Sequence, residues 1–296
     1  VWKAGTSHIG SNFSAIDIMA VLFEKADPQS DEIILSAGWK AAAWYYFLWR
    51  KGIITEEELN SFCQEVNCPE CEGTKVSYLA QRSPFAYASN MGSSTTIGNP
   101  PEFWLCKKCN GTGKIQSPFI GLTEPMNKWG LRFAGGSMGF GLPAAVGFAL
   151  SKKLKGEDGK VYCLMSDGEM QCGTVAESAK IAVQYKLDNL IVFEDKNKFQ
   201  AMGKVDDIVK SHGRDEFLAY GWNLTMIDGH DFDMIEHCFG YRITDFRRAA
   251  KCPSMIIADT IKGKGVSFME NNNLYHYLHL SDEDYYKALK ELNEKN

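Results

Sequence analysis

The chain has 296 residues, 45% of them apolar, and a formal net charge of −5. That length supports a large core in one α/β domain or two small ones, the acidic balance argues against nucleic acid as a partner, and no apolar run approaches the ~20 residues that cross a membrane. Nine cysteines, four of them in two CxxC pairs, favour reduced thiols and bound metal over a disulfide framework, and with them the cytosol.

In chain order, residues 1–13 begin without Met or a signal pattern, which points to preceding residues, and end in a turn-rich loop, AGTSHIGSNF. Ser14 and Asp17 have capping-box spacing and predict a helix from Ser14. Asp31–Ser36 reads as a strand, followed by Gly38 and a helix from about Trp39 to Arg50. On that helix Lys40 is expected to point away from the face carrying Trp39. The aromatics Trp39, Trp44, Tyr45, Tyr46, Phe47 and Trp49 read as packing against a sheet and a partner subunit. Thr55–Glu58 is a second capping box, opening a helix to about Glu65.

The composition then changes. Cys68-Pro-Glu-Cys71 and Cys106-Lys-Lys-Cys109 each aim two thiolates at one point, and four thiolates make a closed tetrahedral Zn²⁺ site of structural character. Two disulfides or an iron–sulfur cluster are the alternatives. The knuckles resemble those of zinc ribbons, and the stretch 64–117 is expected to be an inserted zinc-binding module within a domain made of 1–63 and 118–296. Gly135-Gly-Ser-Met-Gly-Phe-Gly141 opens a helix to about Leu154; its glycines suit close approach either to a flat ring or to a sheet.

The stretch Ser166–Gln200 organises the chain. Val161–Met165 and Leu190–Phe193 are short apolar runs ending at Asp167-Gly168 and Asp195-Lys-Asn197, with a helical segment Thr174–Tyr185 between them whose apolar positions include Val175, Ile181 and Val183. This is a βαβ unit of a parallel sheet, whose ligands lie outside the carboxyl ends of the strands. Asp167 and Asn197 bring hard oxygen ligands to one such place, which suits Mg²⁺ together with phosphate oxygens. Trp222–Ile227 and Ser254–Ala258 read as further strands around a helix from Phe232 to Ala250, and Lys262-Gly-Lys-Gly265 as either a phosphate-facing or a solvated turn. Ser281-Asp-Glu-Asp-Tyr opens a capped terminal helix.

An Asp and an Asn about 30 residues apart at two strand ends resemble the thiamine-diphosphate motif. YKLDNL (185–190), IDGHD (227–231) and TIKGKGVSF (260–268) resemble the amino-terminal half of transketolases, and most closely the split, transketolase-like subunits. The resemblance covers nearly the whole chain except roughly 64–117. It implies a doubly wound α/β domain that holds thiamine diphosphate through Mg²⁺ (or Ca²⁺). Asp167, Asn197 and the carbonyl of Phe199 would hold the metal. Gly136, Ser137, Met138, Gly168, the backbone N–H of Glu169, Lys262 and His276 would hold the cofactor. His8 and His276 would handle or orient protons.

The implied reaction moves a two-carbon ketol unit between sugars, with sugar phosphates the expected form. The implied partner is a separate chain carrying the pyrimidine-binding domain, since the chain stops where that domain would begin; pairs of heterodimers would make a heterotetramer. Departures from the family pattern are Ala37 for a lysine, Trp39 for a histidine near the diphosphate, Cys172 for a glutamate, and a loop GLTEPMNKWG (121–130) without the usual histidine. Those at Ala37, Trp39 and the 121–130 loop motivate one rival, a thiamine-diphosphate carboligase or decarboxylase using a 2-keto acid donor; the other rival is a non-catalytic regulatory protein.

Overall fold

The computed structural model describes residues 1–70, 108–110, 112–121, 132–133, 135–210, 213–240 and 251–294. Within the chain, 1–59 with 120–296 forms one compact unit and 60–119 a second.

The larger unit is built on five parallel strands: β1 (Glu32–Leu35), β4 (Val161–Ser166), β5 (Leu190–Lys196), β8 (Asn223–Asp228) and β9 (Ser254–Asp259), side by side in the order β1-β4-β5-β9-β8. Every residue of β4 is buried, as are Leu190–Asp195 of β5. The short apolar runs are therefore strands covered on both faces. Register pairs Ser166 with Asp195 and Lys196 with Asp259, so the polar residues that end these strands share one edge of the sheet. Just past that edge, β6 (Phe199–Gln200) and β7 (Gly203–Lys204) form a small antiparallel hairpin, followed by the single turn α6 (Val205–Ile208).

Helices α4 (Gly141–Lys155), α5 (Gly173–Gln184) and α7 (Gly213–Tyr220) carry the chain from β1 through β4 and β5 to β8. They pack with Ile34, Cys163, Met165, Val192 and Ile257 into one core. The return from β8 to β9 runs through α8 (Phe232–Gly240), which packs on α1 (Ile9–Lys25). Phe239 of α8 stacks on Phe193 at 5.0 Å and reaches Tyr162, strand residues that lie outside the α4–α5 core. The crossover direction reverses between β8 and β9, and with it the layer that receives the helix, as right-handed connections require. The terminal helix α9 (Asp282–Glu294) starts at its expected cap, with Ser281 Oγ accepting the Asp284 N–H at 3.1 Å.

Several boundaries differ from expectation. α1 begins at Ile9, five residues before Ser14, with His8 as N-cap at φ 70°. Gly10, Ser11 and Asn12 are weak helix formers, but all three are buried. A Cβ on Gly10 would lie 3.2 Å from the Lys262 side chain, and Asn12 Oδ1 accepts the Ala43 N–H at 2.8 Å, so tertiary contacts override propensity. Ser14 and Asp17 consequently lie inside the helix and bond elsewhere. Gly38–Lys40 is a 3₁₀ turn before α2 (Ala41–Arg50).

Ile181, expected on the apolar face of α5, is 45% exposed, whereas Val175 is buried. The Thr55–Glu58 capping box forms, with reciprocal bonds of 2.8 and 3.1 Å, but its helix, α3 (Glu56–Asn60), is short. Residues 241–250, the end of the expected helix after Phe232, lie outside the described residues, as does 122–130 of the loop GLTEPMNKWG.

In the smaller unit, β2 (Glu65–Asn67) pairs antiparallel with β3 (Lys114–Gln116). Cys68 and Cys109 are buried together beside Ile115. The Gly113 N–H points at Cys109 Sγ at 3.2 Å, and the Cys68 N–H bonds the Gly113 carbonyl at 3.0 Å. Cys71 and Cys106, the other two expected zinc ligands, lie outside the described residues.

Candidate active site

Four strand ends and one helix start converge. Glu169, in the 3₁₀ turn Asp167–Gln171 after β4, is fully buried. Its Oε1 accepts the Ser36 hydroxyl and the Gly139 N–H (3.0 Å), and its Oε2 accepts the Ser166 N–H at 2.9 Å. One carboxylate thus ties the end of β1, the glycine loop and the end of β4 together. Burial pushes its pKa up, against those hydrogen bonds. The sequence points only to the backbone of Glu169; the side chain is the fastening.

The glycine loop divides in two. A Cβ on Gly135 would lie 2.1 Å from the Ser36 carbonyl oxygen, and one on Gly141 2.1 Å from Ser36 Cβ, so these glycines serve contact with the sheet. A Cβ on Gly136 would meet nothing within 4 Å. Gly136, Ser137 and Met138 therefore face open space, the exposure a bound ring requires. Gly168 faces the same region, its open side bounded by Gln200 Oε1 and Met138 Cε.

Asp167 and Asn197 end adjacent strands and are buried. Asp167 accepts the Gly168 N–H at 2.9 Å and the Lys198 N–H at 2.5 Å. Burial, then the charge of Asp195, raises its pKa to about 7. Asn197 Oδ1 accepts the Phe199 N–H at 3.1 Å. Two oxygen donors held on turns, beside like charges that a cation would relieve, fit a hard divalent metal.

Glu194, which nothing in the sequence singles out, lines a cavity of about 550 Å³ with Asp167, Lys196, Lys198 and Phe199. Burial, then Asp167, pushes its carboxyl up to about 8. Lys40, expected only to point to a different helix face from Trp39, is fully buried, and its ammonium contacts Asp195 Oδ2 at 2.5 Å. Burial raises the Asp195 pKa, but Lys40 and the hydrogen bonds around it outweigh that and hold it below its usual value.

His8 and His276 come together, ring centroids 5.0 Å apart, with the His8 N–H bonded to the His276 carbonyl at 3.0 Å. Lys262, fully buried, donates to His276 Nδ1 and Asn273 Oδ1, each at 2.9 Å. An ammonium only donates, so the neutral His276 ring carries its hydrogen on Nε2. Burial, then Lys262, lowers His8 to about 4 and His276 to about 3, and burial, then Lys40, lowers Lys262 to about 8. At neutral pH both imidazoles are uncharged. The left-handed φ of His8 is uncommon for a residue with a side chain, and such outliers concentrate at functional sites.

Residues 113–294, more than half the chain, match the family model described as "Transketolase, thiamine diphosphate binding domain". The chain belongs to this transketolase family. Along its whole length it is 27% identical to a protein from Phocaeicola vulgatus named as a subunit of apulose-4-phosphate transketolase, covering 89% of that protein. It is 28% identical over 99% of its length to 6-deoxy-6-sulfo-D-fructose transketolase subunit SqwG from a Clostridium species, covering 90% of it.

The crystal structure of transketolase from Campylobacter jejuni superposes on 98% of the chain with a TM-score of 0.74 at 25% identity. The chain spans 40% of that longer transketolase. The parallel sheet described above is thus the thiamine-diphosphate-binding α/β fold of transketolases. The chain is an enzyme subunit of the transketolase-like type.

Proposed function

We propose that this chain is the diphosphate-binding half of a split transketolase and works only with a second chain that carries the pyrimidine-binding domain, the pair assembling as a heterotetramer. The observation that carries the reading is the meeting of Asp167 and Asn197 at adjoining strand ends, beside the buried array of Lys262, His276 and His8. Two relatives of nearly the same length bear subunit names, which supports a chain that is one part of an assembly.

Asp167, Asn197 and the Phe199 carbonyl would hold Mg²⁺. Gly136, Ser137, Met138, Gly168, the Glu169 N–H, Lys262 and His276 would hold thiamine diphosphate. When bound, that cofactor supplies the electron sink for carbon–carbon cleavage. The chain's own contribution is placement: neutral His276 offers Nε2–H to a substrate oxygen, and neutral His8 beside it orients or accepts a proton. The names of both relatives describe sugars carrying a phosphate or sulfonate, so the substrate class is an anionic ketose with an aldose acceptor.

Zinc held by Cys68, Cys71, Cys106 and Cys109 is the companion proposal for the smaller unit. The buried Cys68 and Cys109 and the N–H aimed at Cys109 Sγ support it.

The test is co-expression with a chain bearing a transketolase pyrimidine domain, followed by mass determination, metal analysis and a panel of ketose and aldose phosphates. Ketol transfer by the complex alone, with zinc near one ion per chain, is expected. Full turnover by the isolated chain refutes the split reading. Turnover of 2-keto acids without ketoses, which Trp39 in place of a histidine would make intelligible, favours the ligase or decarboxylase rival. Iron in place of zinc overturns the metal proposal.

A further inference from the structure

Lys40 lies at the end of the 3₁₀ turn after β1 and has no exposed surface. Its ammonium donates to the Ser11 carbonyl at 2.9 Å and to Asp195 Oδ2 at 2.5 Å. That same oxygen accepts the Ser14 hydroxyl at 2.6 Å and the Asn197 amide nitrogen at 3.0 Å, while the Thr260 hydroxyl donates to Oδ1. One buried ion pair thereby joins α1, the turn after β1, the end of β5 and the residue after β9.

The consequence falls on Asn197. A carboxylate has no hydrogen to donate, so it takes the NH₂ end of the amide. The amide oxygen is turned the other way, where it accepts the Phe199 N–H at 3.1 Å. Rotating the amide by half a turn would set oxygen against carboxylate and NH₂ against N–H, losing both bonds. The Asp195 carboxylate and the Phe199 N–H together give Asn197 one hydrogen-bonded orientation, and a buried carboxylate needs its counter-ion.

We propose that Lys40 is a positioning residue of the cofactor-cation site: through Asp195 it fixes which end of the Asn197 amide is offered to the metal. The proposal rests on the reading of Asp167 and Asn197 as metal ligands. Groups that orient metal ligands without touching the metal typically change its affinity about 10- to 100-fold when removed.

Lys40→Met alone leaves Asp195 buried without its partner, a change large enough to unfold the chain, so the decisive variant is Lys40→Met with Asp195→Asn. It removes both charges and nearly conserves volume. The residue introduced at 195 accepts either end of the Asn197 amide, so the Phe199 N–H alone is left to hold its orientation. Thermal melting checks the fold, and calorimetry of thiamine diphosphate uptake at stepped Mg²⁺ concentrations gives the Mg²⁺ requirement of the complex formed with the pyrimidine-domain chain.

The expected result is a double variant that melts cooperatively near the parent temperature and needs at least about tenfold more Mg²⁺. An ion pair with a packing role alone would move the melting temperature and leave the Mg²⁺ requirement unchanged, which overturns the proposal. A parent complex that takes up no cofactor in a Mg²⁺-dependent way overturns the cation-site reading, and this inference with it.

Discussion

Glu169→Ala is the sharpest test of how the site is held together. The side chain is fully buried and accepts the Ser36 hydroxyl, the Gly139 N–H and the Ser166 N–H, with all three donors drawn from different segments. Truncation leaves two backbone N–H groups and the hydroxyls of Ser36 and Ser166 without this acceptor. Each orphaned buried donor costs about 1–3 kcal/mol, giving a gross loss of about 4–12 kcal/mol. Against this stands release of a carboxyl whose burial is itself unfavourable, as its raised pKa records. A net loss of about 2–4 kcal/mol is expected, at the lower end if water enters and bonds the N–H groups. Glu169→Gln keeps the shape and one acceptor but turns an NH₂ toward donors, and should cost about 1–2 kcal/mol. Urea denaturation of parent and variants gives both values. Amide hydrogen exchange adds a local readout: Gly139 should lose protection in the Ala variant while mid-strand amides of β4 lose only what global stability dictates. An Ala variant within about 0.5 kcal/mol of parent would refute the idea that this carboxylate fastens the three segments.

The two kinds of glycine should separate. Gly38→Ala would place Cβ 2.0 Å from the Gly135 carbonyl oxygen and should cost at least about 3 kcal/mol or prevent folding, whereas Gly136→Ala, with nothing within 4 Å, should stay within about 0.5 kcal/mol while weakening cofactor uptake; equal stability losses would show the assignment to be wrong. The depressed histidines predict a contribution of definite sign: between about pH 4 and 6.5 the folded chain binds fewer protons than the unfolded chain at His8, so the His8 contribution to stability falls as pH drops below 6.5 and is flat above it. His8→Asn, which tolerates the left-handed backbone, should remove that contribution from the denaturation-midpoint profile and leave the one from His276; an unchanged profile would mean that His8 titrates as it does in water.

How much of this was legible in the sequence depended on whether the deciding contact was local. Val161–Met165 and Leu190–Phe193 read correctly as buried strands because burial on both faces leaves a continuous apolar run. Asp167 and Asn197 could be placed together because parallel strands joined by a helix must end on the same edge. Glu194 was overlooked because it continues the apolar run as one carboxyl among strand residues, and its neighbour Asp167 is brought up by a different strand. The start of α1 was illegible for a related reason. Gly10-Ser-Asn12 has loop composition, and only packing against Lys262 and Ala43 makes it helical. Ile181 is one of the helically spaced apolar positions, but the helix presents it outward.

Lys40 shows the same limit at the centre of the site. A helical wheel through Trp39 and Lys40 sends the lysine away, but the turn there is 3₁₀ and the partner, Asp195, is 155 residues distant. The pairing changes what the replacement of a histidine by Trp39 means. Trp39 is half-buried and contributes its carbonyl to Asn12 Nδ2 at 3.3 Å; its indole brings neither charge nor an acceptor. The cation one residue later does not substitute for an imidazole at a diphosphate, because Asp195 and the Ser11 carbonyl already engage it. Of the two lysines with no exposed surface among the described residues, that leaves Lys262 facing the histidines, its ammonium shared between uncharged partners, Asn273 and His276. An ammonium held by neutral acceptors keeps its charge uncompensated at close range, whereas one held by a carboxylate does not. In the proposed function, the anion-binding burden that the family pattern gives to a histidine at position 39 therefore falls on Lys262, and the burden of shaping the cation site on Lys40.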